Sequence, residues 1–264
     1  MRSLFPVILY IFLSVAFSGK AWNLKTKFPG AAEMFCTDPS GNCYIVRNNV
    51  LSKYDFNGVL LRTYSDKTSG TITSIDVKGG QRVLLFYQSS ARLVFLDNSL
   101  SPIGAPVSLI DLGLPDPRLC CLSGNNGYWI YDAAKDIVAG IAWEGKRLNE
   151  SPLLGDWRKE AQPVKMMERE NQLLLLCKEG ELLLLDQFGV PGTVLPRKGN
   201  KAAALQGEIL YFLNETGDSL HWQNRKTLEE GDMILPADSC LDFHFDNHHL
   251  FLQEPLRISV YTKK

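Results

Sequence analysis

The 264-residue chain lacks the groups on which most enzymes and nucleic-acid binders rely. It has only four histidines, and no nucleophile elbow, Walker loop, dinucleotide fingerprint or His-Glu-x-x-His motif. Six cysteines are present without a Cys-x-x-Cys pair, which argues against a zinc ribbon or a thioredoxin-type redox site. The 28 basic side chains are matched by 29 acidic ones, with no basic stripe or tail of the kind phosphate backbones require. No long amphipathic helical pattern occurs. The longest apolar run, at fourteen residues, is short of the roughly 20 that a membrane-spanning helix needs.

That run, Leu4 to Phe17, follows the single charge of Arg2 and precedes the small residues Ser18, Gly19 and Ala21. A charged start, a short apolar stretch and a small-residue zone describe a secretory signal peptide over residues 1–21, with cleavage after Ser18 or Ala21. No cysteine lies there to carry a lipid anchor. The expected product, residues 22–264, loses Arg2 and Lys20, keeps 26 bases against 29 acids, and has no transmembrane segment.

What the chain does have is a loose unit of about forty residues, recurring six times. First strands are expected near Met34, Ser74, Leu119, Lys165, Ala203 and Cys240, at steps of 40, 45, 46, 38 and 37 residues. Turn signals such as Asp38-Pro39-Ser40-Gly41-Asn42 and Gly124-Asn125-Asn126-Gly127 follow them. The next runs, including Val83–Tyr87, Tyr128–Tyr131 and Leu173–Cys177, are almost wholly apolar, as strands covered on both faces are. The stretch Leu173 to Leu185 is broken by Glu179-Gly180-Glu181 into two strands. The last unit stops after a third strand at Arg257–Tyr261, while Asn23–Phe28 alternates like a spare edge strand. The fold expected is therefore all-β, a single-domain six-bladed β-propeller of four-stranded antiparallel blades, its ring closed by the N-terminal strand.

For an exported chain, six cysteines raise the question of disulfides. The plainer reading is buried thiols acting as small hydrophobes. A Cys36–Cys43 bond across the first turn is the specific alternative. Along Asp242-Phe243-His244-Phe245-Asp246, alternation would put Asp242, His244 and Asp246 on one strand face, a candidate metal or acid–base set. The plainer reading is a wet face lining the central channel or solvent. Glu33, Asp76, Lys165 and Glu168 are further channel-facing candidates. Trp129, Trp143, Trp157 and Trp222 are expected between blades or at contact rims. Asn149-Glu150-Ser151 and Asn214-Glu215-Thr216 match the glycosylation triplet.

Phe35-Cys36-Thr37-Asp38-Pro39-x-Gly41-Asn42-x-Tyr44, Lys53-Tyr54-Asp55-x-Asn57-Gly58 and Gly127-Tyr128-Trp129-Ile130-Tyr131-Asp132 carry a resemblance. So do Leu84-Leu85-Phe86-Tyr87, Val94-Phe95-Leu96-Asp97 and Leu109-x-Asp111-Leu112-Gly113-Leu114. They resemble uncharacterised exported propeller-like proteins of Gram-negative bacteria, and in general shape NHL- and WD40-like propellers without a repeated Trp-Asp. The resemblance covers the first half best and implies an envelope-localised ring, in the periplasm or at the cell surface, with no site residues to carry over. The leading expectation is a non-enzymatic scaffold, monomeric in isolation and without cofactor, that binds another envelope protein. Its docking loops would be Leu112–Arg118 and Leu148–Gln162, the second of which should be deletable. The alternatives are a metal-dependent lactonase, lyase or glutaminyl-cyclase type of enzyme at the channel, and a glycan or small-ligand binder using exposed aromatics.

Overall fold

Strands that are apolar at every position need cover on both faces, and stacking of blades around a ring supplies it. The computed structural model describes residues 22–157, 162–178, 180–195, 201–246 and 248–263. The expected leader at 1–21 lies outside these residues. The described strands form six four-stranded antiparallel sheets, a six-bladed β-propeller. After β1 (Trp22–Pro29), blade 1 is β2 (Met34–Thr37), β3 (Cys43–Arg47), β4 (Val50–Tyr54) and β5 (Leu60–Tyr64). Blade 2 is β6 (Ser74–Lys78), β7 (Arg82–Tyr87), β8 (Arg92–Asp97) and the two-residue β9 (Val107–Ser108). Blade 3 is β10 (Pro117–Ser123), β11 (Gly127–Asp132), β12 (Ile137–Ala142) and β13 (Arg147–Glu150). Blade 4 is β14 (Pro163–Arg169), β15 (Gln172–Cys177), β16 (Leu182–Leu185) and β17 (Pro191–Leu195). Blade 5 is β18 (Ala202–Gln206), β19 (Ile209–Leu213), β20 (Ser219–Asn224) and β21 (Glu230–Ile234). Blade 6 is β22 (Asp242–Phe245), β23 (His249–Glu254), β24 (Arg257–Lys263) and, as its outer strand, β1.

The closure expected from the two chain ends is present. β1 pairs antiparallel with β24, Phe28 opposite Ile258, and Phe28 is buried between blades 6 and 1. A bulge between Leu24 and Thr26 breaks the alternation, and this leaves Leu24 exposed where a regular strand would turn it inward.

Each junction between neighbouring blades has its own apolar cluster. In β7, Val83, Leu85 and Tyr87 pack toward blade 1, whereas Leu84 and Phe86 pack toward blade 3. In β16, Leu183 and Leu185 face blade 3 while Leu182 and Leu184 face blade 5. Period-two alternation thus serves two cores at once, and each buried Leu contributes about 1.5–3 kcal/mol.

The hairpins are set by aspartates. Asp55, Asp97 and Asp186 each accept from the backbone N–H groups two and four residues on, at 2.8–2.9 Å, between the third and fourth strands of blades 1, 2 and 4. Gly58 and Gly189 hold the left-handed position of these turns (φ 89° and 83°), and Leu100 takes the same role at φ 62°.

Four strands per blade is an even number, so the chain always returns from rim to channel on the face where the blade began. That upper face carries the links between blades. The lower face carries the first-to-second and third-to-fourth hairpins.

Candidate functional site

All six inner strands contribute to a cavity of about 660 Å³ along the ring axis. Near its lower end, Glu168 of β14 is 2% exposed and fully engaged. Its Oε1 meets Lys78 Nζ of blade 2 at 2.6 Å and accepts from Gly124 N at 2.7 Å, while Oε2 accepts from Trp129 Nε1 at 2.6 Å. Burial opposes its charge, yet these donors outweigh burial and hold the carboxyl below the usual range. The ion pair reaches from blade 2 to blade 4 across the end of β10, where Gly124 leaves room. A Cβ there would come within 2.8 Å of Glu168 Oε1.

Toward the upper end, Lys165 of blade 4 meets Asp242 of blade 6 at 2.6 Å, passing blade 5. The inner strand of blade 5 carries Ala202, Ala203 and Ala204. Burial again opposes the Asp242 charge, and Lys165 outweighs it, leaving the carboxyl below its ordinary value. Blades 2, 4 and 6 are thereby stitched together across the axis.

Asp242 and His244 line the cavity as the alternation of β22 predicts. His244 packs against Phe35 with ring centroids 4.6 Å apart, and burial pulls its pKa down to about 3, so the ring is neutral. Asp246 lies past the end of the strand, and its carboxylate is turned into its own hairpin. It accepts from the N–H groups of His248 and His249 at 2.7 Å and meets His249 Nδ1 at 2.9 Å. The expected trio is therefore not assembled. Among the described residues no three His, Cys, Asp or Glu side chains form a group that could hold a metal.

Asp76, Lys165 and Glu168 are at the channel as expected, but Glu33 is not. It precedes β2 and accepts from Asn48 N at the exposed start of blade 1. The Cys36–Cys43 bond is absent, and the register gives the reason. Cys36 stands opposite Tyr44 and Cys43 opposite Thr37, so the thiols point to opposite faces, into different clusters. All six cysteines are buried. Burial pushes the thiols of Cys36, Cys120 and Cys121 up, and they remain neutral at physiological pH.

Trp129 packs between blades 3 and 4, and Trp143 stacks on Arg82 at the blade 2–3 junction. Trp157 is 43% exposed. Asn214 spends its side chain on its own turn, accepting from Gly217 and Asp218 N–H groups and donating to Thr216 and Asp218. The 148–162 loop is not dispensable as its sequence suggests. Its first residues belong to β13, Leu154 is fully buried in the blade 3–4 cluster, and 158–161 lie outside the described residues.

Sequence reasoning missed Lys78, the partner of Glu168, and Arg169. Arg169 ends β14 and lines the cavity. Alternation with Lys165 two positions before Met167 was a signal that could have placed it there.

Solved structures similar to this chain in fold include the following three. The WD40 domain of Pan2 from Neurospora crassa matches with a TM-score of 0.66 at 9% identity, over 93% of this chain and 96% of that one. BamB from Moraxella catarrhalis matches with a TM-score of 0.61 at 12% identity, over 92% and 98%. Virginiamycin B lyase from Staphylococcus aureus matches with a TM-score of 0.60 at 13% identity, over 92% and 100%. No family model and no curated protein matches the sequence. At these identities the likeness is one of fold, and the fold hosts unrelated activities.

Proposed function

We propose that this protein is an exported propeller of the Gram-negative cell envelope that acts as a scaffold and holds another envelope protein on its upper face. The observation that carries this reading is the set of apolar side chains exposed on that face. Ile110, Leu153, Trp157 and Val164 are 43–57% exposed on the links from blade 2 to blade 3 and from blade 3 to blade 4, and at the channel mouth. Loops on a rigid ring, with a Trp among them, suit protein docking. No helix among the described residues is long and apolar enough to cross a membrane. The likeness to a WD40 domain and to BamB is compatible with a scaffold.

The test is in-cell cross-linking of the tagged full chain, followed by affinity purification and mass spectrometry. A stoichiometric envelope protein should be recovered with the wild type and with Phe188→Asp on the lower face. Its recovery should fall at least about tenfold with Leu153→Asp/Trp157→Asp. Equal recovery with all three proteins, or no partner at all, would overturn the reading.

A second reading, catalysis at the channel, has the axial cavity and the likeness to a lyase in its favour. It requires a metal at Asp242 and His244. Thermal stabilisation by Mg²⁺ or Mn²⁺ should then be seen in the wild type and vanish in Asp242→Ala/His244→Ala.

A further inference from the structure

Among the described residues, the cavity lining holds one cation, Arg169, and one buried anion, Asp76, that no ion pair engages. Its other cations are taken: Lys78 by Glu168, Lys165 by Asp242, and Arg118, at the mouth, by Asp116. Arg169 donates to the backbone carbonyl of Glu168 at 2.8 Å, and no carboxylate among the described residues lies within ion-pair distance of its guanidinium. Arg169 lines the axial cavity at its lower end.

The cavity's carboxylates are mostly engaged as well. Asp38 takes four donors: Ser40 N, Asn42 N, Asn42 Nδ2 and Tyr44 Oη. Glu168, Asp242 and Asp246 are occupied as described, and Glu170 is exposed at the lower rim. Asp76 differs. It is 8% exposed, and Oδ2 accepts from Leu122 N at 2.8 Å. Its Oδ1 has no hydrogen-bond partner among the described residues, and the residue lines the cavity.

A carboxylate that is nine-tenths buried with an idle oxygen at a cavity accepts a donor there from water or from a ligand. A guanidinium fork is shaped for a carboxylate. Asp76 and Arg169 form no ion pair with one another and line one cavity, so a molecule carrying both charges would satisfy the two together. We propose that the channel binds a free α-amino acid, its carboxylate on Arg169 and its ammonium on Asp76. A dianion is disfavoured by Asp76, and a simple amine by Arg169. The cavity is within the 300–1,000 Å³ typical of small-molecule sites, with Phe35 and the neutral His244 ring on its wall. This site is separate from the docking face, and Leu153→Asp does not touch it.

The test is isothermal titration calorimetry of the full chain at neutral pH with the twenty protein amino acids, one at a time. At least one should bind with a Kd below about 1 mM. Its N-acetyl derivative, lacking the ammonium, and its methyl ester, lacking the carboxylate, should each bind at least about tenfold more weakly. Arg169→Gln should remove binding without lowering the melting temperature, because only a backbone contact is lost. Asp76→Asn, which retains an acceptor for Leu122 N, should bring the amino acid and its N-acetyl derivative to equal affinity. Inorganic phosphate and succinate serve as anion controls. Tighter binding of either control than of any amino acid, absence of binding below about 10 mM, or undiminished binding to a folded Arg169→Gln protein would overturn the proposal.

Discussion

Glu168 shows how much a single side chain can hold. It joins blade 2 through Lys78, blade 3 through Gly124 and Trp129, and its own blade 4. Glu168→Gln removes the charge and turns one acceptor oxygen into a donor facing another donor. Because Lys78 is partly exposed, the cost should fall below that of a fully buried broken pair, at about 2 kcal/mol. Calorimetry should show this as a fall of about 4–8 °C in melting temperature for a domain of this size. Trp129 is held just as closely. Gly140, opposite it in β12, would bring a Cβ to 2.9 Å from the ring, and Gly189 of blade 4 would bring one to 3.3 Å. Gly140→Val should therefore cost about 1–3 kcal/mol by overpacking, read as a lower urea midpoint with unchanged slope. At this scale the sequence was legible where alternation rules. Asp242 and His244 could be placed from their spacing, whereas Asp246 could not, because a strand that stops one residue earlier turns its carboxylate into a hairpin. Glu33 was misplaced for the same reason at the other end of a strand.

Elements were easier to read than residues. The apolar runs of β7, β11 and β15 and the Asp-led turns mark hairpins because burial on both faces and left-handed turn positions each demand particular residue types. The fourth strands were the least visible: β9 has two residues, and β5 exposes Leu60 and Leu61, so neither carries a burial signal. β1 was legible through its alternation, apart from the bulge that frees Leu24. Its contribution rests on Phe28, and Phe28→Ala should cost about 3–5 kcal/mol. Removing residues 22–29 should do more, baring the edge of β24 and the cluster beneath Phe28. Size-exclusion chromatography should show this protein aggregating under conditions where the Phe28→Ala protein remains dispersed.

The response of the whole molecule to acid follows from its axis. His244 stays neutral in the folded protein down to about 3, while the unfolded chain protonates it near 6.5. Between those values the unfolded state binds the extra proton, so stability falls as pH falls. Glu168 and Asp242, both held below their ordinary range, add stability at neutral pH that is lost as pH drops through their folded values. The melting temperature should therefore decline from about pH 6.5 downward, before ordinary carboxylates titrate. His244→Gln should flatten the stretch between about pH 6.5 and 4.5 and leave the lower limb in place. Ring closure bears on the order of folding as well. Asn23 and Thr262, neighbours in blade 6, are 239 positions apart in the chain. Strand β1 is made before every other described strand and has no sheet to join until the last of them exists. During synthesis, Phe28 must wait for its blade 6 partners until β24 has been made. Loop-closure entropy grows only slowly with length, so the wait costs time rather than stability. Chaperone binding to a nascent chain halted before β24 should therefore map to residues 22–29 and disappear once β24 is released.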